Sequence, residues 1–224
     1  MICSMERNEF LAALERHAGM ISEIRQSAHE LHDSVNQTYG EGLPYGYHLD
    51  MVGENAKTFG HEVCVCEDDV VPMMFGAYYH DSIEDARQTY NDVMKIARRW
   101  MPDDQALMAT EIVYALTNDK GRNRAERAGE RYYAGIRTTP YAPFTKMCDR
   151  LANITFSCSG LDSYNDHMRE VYKSEVPHFL ASIRGKSDDL RLTIPDSMVE
   201  RMAEVLIDEM EREEWKQQII NQGK

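Results

Sequence analysis

Apolar residues recur at helical spacing along most of the chain. Leu11, Leu14, Ile21, Ile24, Ala28, Leu31 and Val35 mark one face of a helix predicted over residues 5–36. The stretch from Tyr39 to Gly46, which holds three glycines and Pro44, breaks that pattern. A second helix is predicted from about residue 48 to 59, and residues 60–69 read as a loop with Glu62–Val65 as a short extended piece. Pro72 suits a first helical turn, and a third helix follows over residues 73–85. Further helices are predicted over 89–101, 103–116, 123–136 and 144–154, and a longer one over 163–184 with a kink near Pro177. Residues 186–194 form a linker, and Pro195 opens a last helix that runs to about 220. The expected class is all-α. A helical bundle occupies residues 1–185, and the 186–224 segment packs its Met198, Met202, Val205 and Leu206 stripe on it.

The bulk numbers narrow the function classes. The chain has 224 residues with 42% hydrophobic and 28% charged positions, which suits one folded domain. No apolar run approaches the roughly 20 residues of a membrane span, so no membrane partner is expected. The start MICSMERNEF lacks a signal-peptide pattern, and five cysteines is an odd count; reduced thiols in a cytoplasmic protein are expected. A net charge of −13 argues against general nucleic-acid binding, which relies on a basic surface. It leaves room for a small anionic substrate, because one metal ion and a few cations can dominate a pocket. Monomer and homodimer both remain open.

The densest chemistry lies in His80-Asp81-Ser82-Ile83-Glu84-Asp85. On a helix, His80 would stand beside Glu84 and Asp81 beside Asp85. The preceding segment from Met73 to Tyr79 is almost wholly apolar, so this polar edge ends a buried element. Three carboxylates and an imidazole so close together repel one another unless a cation joins them. His48 follows a Pro-Tyr turn at a helix start, and Asp149 shares a helical face with Asn153. Four side chains from three helices can thus meet inside a bundle. Each has a plain structural alternative: a packed histidine for His48, an ion pair with Lys146 or Arg150 for Asp149, and a solvated helix end for His80-Asp81. Two imidazoles and two carboxylates together suit manganese or another first-row metal.

The ordered set His48, His80-Asp81 and Asp149 is the signature of the HD superfamily. More closely, the chain resembles the hydrolase domain of RelA/SpoT-type alarmone enzymes, especially the small stand-alone hydrolases. The matching stretches are Gly42 to His48, His80 to Asp85, Leu116-Thr117-Asn118-Asp119-Lys120 and Lys146 to Asn153. The resemblance implies an HD-domain bundle and a Mn²⁺-dependent release of pyrophosphate from the 3′ position of guanosine tetra- or pentaphosphate. It puts the metal ligands on His48, His80, Asp81 and Asp149, and the catalytic pair on Glu84 and Asp85. Substrate contacts fall on Lys120 and Asn153, with Arg124 and Arg127 of the basic stripe after Lys120 meeting phosphate and Tyr172 closing the site.

The chain departs from that family at one place. The family carries an Arg-Lys pair ten to eleven residues before its first histidine ligand, where this chain has Gln37 and Thr38. Arginine stacking on the base is therefore missing. Adenosine alarmones, mononucleotides acted on by another HD phosphohydrolase, and a nucleotide-binding or antitoxin-like protein without strong turnover stay open beside the guanosine reading.

Overall fold

The computed structural model describes residues 3–118, 129–159, 165–185, 187–208, 211–212 and 215. Ten α-helices account for most of them, with one two-stranded hairpin, so the class is all-α. In chain order they are α1 (Arg7–Arg16), α2 (Ala18–Asp33), α3 (Gly46–Phe59), α4 (Val70–Tyr79), α5 (Tyr90–Ala97), α6 (Asp103–Leu116), α7 (Glu130–Thr138), α8 (Ala142–Ser157), α9 (Asn165–Ile183) and α10 (Asp196–Leu206). Strand β1 (Thr38–Tyr39) pairs antiparallel with β2 (Leu43–Pro44), with Tyr39 opposite Leu43.

Helix α4 is the hub. Every residue from Val70 to Tyr79 is buried, and the helix packs on α2, α3, α6 and α8. Phe75 and Tyr79 stack with ring centroids 4.2 Å apart. Gly76 lets α6 approach: a Cβ there would stand 2.5 Å from the Ile112 side chain. An element apolar on all faces has no solvent side, which is why this short helix sits at the centre of the layers.

Several predicted elements change in the structure. The first helix divides at His17, whose φ of −98° and ψ of 7° leave the helical region. In α1 the buried face is Phe10 and Ala13, and Leu11 is exposed, whereas Ile21, Ile24 and Ala28 of α2 are buried as the pattern suggested. The third helix starts earlier and ends at Tyr79, so His80 to Asp85 form turns beyond its C-terminus rather than its last two turns. An Asp85 N–H to Asp81 C=O bond of 2.8 Å keeps one helix-like loop there. The extended piece around Glu62–Val65 is instead a 3-10 turn at Gly60–Glu62, and the hairpin lies in the stretch read as a simple break. Helix α5 is shorter than expected, and a capping box of Thr89 with Asp92 fixes its start. Helix α10 packs on α8 and α9 and ends at Leu206.

Candidate metal centre

Three elements bring the site together. Helix α3 carries His48 in its first turn, the turns after α4 carry His80 and Asp81, and the middle of α8 carries Asp149. The Nε2 atoms of His48 and His80 stand 3.2 Å apart. Asp81 Oδ2 lies 2.9 Å from His80 Nε2 and 3.7 Å from His48 Nε2. Asp149 Oδ1 lies 3.4 Å and 3.8 Å from the same two nitrogens. Within this set, one ligand atom each from His48, His80 and Asp81 falls inside a 4.8 Å span, the spacing that one ion can bridge. The two histidines and Asp149 are buried, and Asp81 is partly exposed.

The surroundings fix the donor atoms. His80 Nδ1 lies 3.0 Å from the Ala77 carbonyl, so its N–H is used there and Nε2 turns inward. Asp149 divides its oxygens: Oδ1 accepts from Asn153 Nδ2 at 2.6 Å and faces the histidines, while Oδ2 pairs with Lys146 Nζ at 2.9 Å. Tyr45 Oη donates to Asp81 Oδ2 at 2.5 Å and lies 3.2 Å from Asp85 Oδ2. Asn118 Nδ2 reaches both Glu84 oxygens, at 2.7 and 3.1 Å.

The electrostatics ask for positive charge. Among the described residues, the carboxylates of Asp81, Asp149, Glu84 and Asp85 crowd together and outnumber the nearby lysine, Lys146. Burial opposes a charged His80 ring, yet the Asp81 and Asp149 carboxylates outweigh it and raise the ring to about 9. Burial also opposes the charge of Asp149, but Lys146 and the two histidines hold it well below the usual carboxylate range. Crowding by protein pushes Glu84 and Asp85 the other way, upward, with Asp81 adding to both shifts. His48, His80 and Asp81 thus form a group that could hold a metal ion, with the Asp149 carboxylate beside it.

The other expected site residues divide. Asn153 is present, with its amide committed to Asp149 and to Tyr39, whose Oη donates to Asn153 Oδ1 at 2.8 Å. Tyr172 is 8% exposed, and the Arg150 guanidinium lies over its ring, 5.2 Å from the centroid. Lys120, Arg124 and Arg127 lie outside the described residues.

Three side chains at the site escaped the sequence reading. Tyr45 had a signal, a tyrosine three residues before His48, but no partner was visible in one dimension. Tyr39 lies in the stretch read as a turn, and its ring stacks on His48 at 4.8 Å. His32 is fully buried and stacks on Tyr45 with centroids 4.5 Å apart, and neither ring nitrogen has a hydrogen-bond partner among the described residues. Its signal was position, four residues after Ala28 on the buried face of α2.

In comparisons with known proteins, the chain matches no family model and no curated protein sequence.

Proposed function

We propose that the chain is a divalent-metal-dependent phosphohydrolase of the HD type that removes pyrophosphate from the 3′ position of an alarmone-like nucleotide. The observation that carries this reading is the meeting of two imidazole nitrogens and two carboxylates at one buried point, with Glu84 and Asp85 beside it. His48, His80, Asp81 and Asp149 are the residues that would hold the ion, with manganese the first choice. When bound, such an ion supplies Lewis acidity to a phosphoryl oxygen and lowers the pKa of water from about 15.7 toward about 7.

The chain's own groups supply the rest. Glu84 and Asp85, whose carboxyls burial pushes above their ordinary values, accept the proton of the attacking water. Asn118 holds Glu84, and Tyr45 holds Asp85. The water oxygen bonds to the phosphorus next to the 3′ oxygen, that P–O bond breaks, and the 3′ oxygen takes up a proton. Lys146 offsets charge near Asp149. Lys120, Arg124 and Arg127 are the proposed phosphate contacts. The substitution of Gln37 and Thr38 for an Arg-Lys pair widens the candidate bases to adenine.

The test is a panel of 3′- and 5′-phosphorylated guanosine and adenosine nucleotides with the Mn²⁺-loaded chain. Pyrophosphate release from a 3′-pyrophosphorylated nucleotide, lost in Asp81→Ala and Glu84→Ala, is the expected result. Turnover of 5′-mononucleotides alone moves the reading to another HD phosphohydrolase. Binding without turnover moves it to a nucleotide-binding protein.

A further inference from the structure

The β1–β2 hairpin delivers one side chain, Tyr39, to two of the candidate ligands at once. Its ring lies on the face of the His48 imidazole, with centroids 4.8 Å apart and planes inclined by 28°. Its Oη donates to Asn153 Oδ1 at 2.8 Å, and Asn153 Nδ2 in turn donates to Asp149 Oδ1 at 2.6 Å. His48 belongs to α3 and Asp149 to α8, so Tyr39 spans the two helices where they flank the site.

The hairpin is built to hold that position. Asn36, Gly40 and Gly42 all have positive φ, which folds the chain back tightly. The backbone at Gly40 lies so close to Phe156 that a Cβ there would stand 2.6 Å from the ring. Phe156 also packs on the Tyr39 ring, with centroids 4.5 Å apart, and sits three residues after Asn153 on the same face of α8. The Tyr39 ring is thus gripped between His48 and Phe156 while its hydroxyl points along α8 to Asn153.

We propose that Tyr39 is a positioning residue that sets the geometry of two metal ligands, His48 through its ring face and Asp149 through Asn153. This rests on the metal-centre reading above. Side chains that orient ligands from outside typically change metal affinity by about 10–100-fold when removed. The two arms are separable: Tyr39→Phe keeps the ring and drops the hydroxyl, and Tyr39→Leu drops both.

The experiment is a calorimetric Mn²⁺ titration of the full chain as wild type, Tyr39→Phe, Tyr39→Leu, Asn153→Ala and the Tyr39→Phe/Asn153→Ala double variant. Metal-free thermal unfolding is measured on each. Tyr39→Phe is expected to weaken binding by about 10-fold and Tyr39→Leu by more, toward about 100-fold. Because the hydroxyl acts through Asn153, Tyr39→Phe is expected to add nothing in the Asn153→Ala background. A merely structural tyrosine lowers the unfolding temperature and leaves the affinity of the folded chain alone. Wild-type affinity in both Tyr39 variants overturns the proposal, and full additivity in the double variant overturns the route through Asn153. A wild-type chain that takes up no metal overturns the metal-centre reading and this one with it.

Discussion

His48 and His80 face each other nitrogen to nitrogen, with Nε2 atoms 3.2 Å apart in the fully buried centre of the bundle. Two neutral rings cannot both aim lone pairs across that gap without repulsion. Either a proton or a metal ion must lie between the nitrogens and the carboxylates of Asp81 and Asp149. The Ala77 carbonyl already occupies Nδ1 of His80, so the inward atom is the one available to an ion.

Removing an inward donor is expected to cost more than removing a residue that only supports one. Asp81→Ala and His80→Ala are expected to weaken Mn²⁺ binding beyond the about 10–100-fold of outer positions. Equilibrium dialysis against Mn²⁺ checks this, and unchanged uptake by both variants would sink the ligand assignment.

Asn118 tethers both oxygens of Glu84 but touches none of the four candidate ligands. Asn118→Ala is expected to lower kcat by about 10-fold or more while leaving Mn²⁺ affinity as in the wild type, since only the proton acceptor loses its orientation. A loss of metal binding in this variant would show instead that Asn118 supports the fold of the site.

Tyr45→Phe keeps the ring under His32 and removes the hydroxyl that serves Asp81 and Asp85. Hydrogen bonds to charged groups contribute about 1.5–3 kcal/mol. The unfolding free energy from urea denaturation is expected to fall by an amount in that range, and activity to fall as well. Stability equal to the wild type would mean that the hydroxyl bond contributes nothing net.

His32 gives a pH prediction. Burial lowers its ring to about 4, against about 6.5 in an unfolded chain. Between those values the unfolded chain binds more protons, so stability is full above pH 6.5 and falls as pH drops toward 4, by up to about 3 kcal/mol. His32→Phe keeps a ring on Tyr45 and removes the titration, so its stability is expected to fall less over that window. Urea denaturation at pH 7 and pH 5 decides it: equal losses in the two chains would show that His32 is not the buried neutral group.

The sequence carried the class and the four inward residues because both leave one-dimensional marks. Helical spacing marks Ile21, Ile24 and Ala28, and the His80-Asp81 pair after an apolar run marks the end of a buried helix. It misplaced the carrier: His80 to Asp85 read as helix, because i and i+4 spacing persists in the turn that Asp85 N–H closes on Asp81. The supporting residues were invisible for a different reason. Tyr39 meets Asn153 across 114 positions, and Asn118 meets Glu84 across 34, so no local pattern records either pair. His32 was hidden by its neighbour: Leu31 fits the apolar stripe, yet His32 is the one of the two fully buried.

The most direct measurement is anomalous diffraction from a crystal of the chain grown with Mn²⁺. The account expects one anomalous peak in contact with His48 Nε2, His80 Nε2, Asp81 and Asp149, and none in an Asp81→Ala crystal. A wild-type crystal with no peak between these four side chains, or with its only ordered Mn²⁺ bound elsewhere, would contradict it.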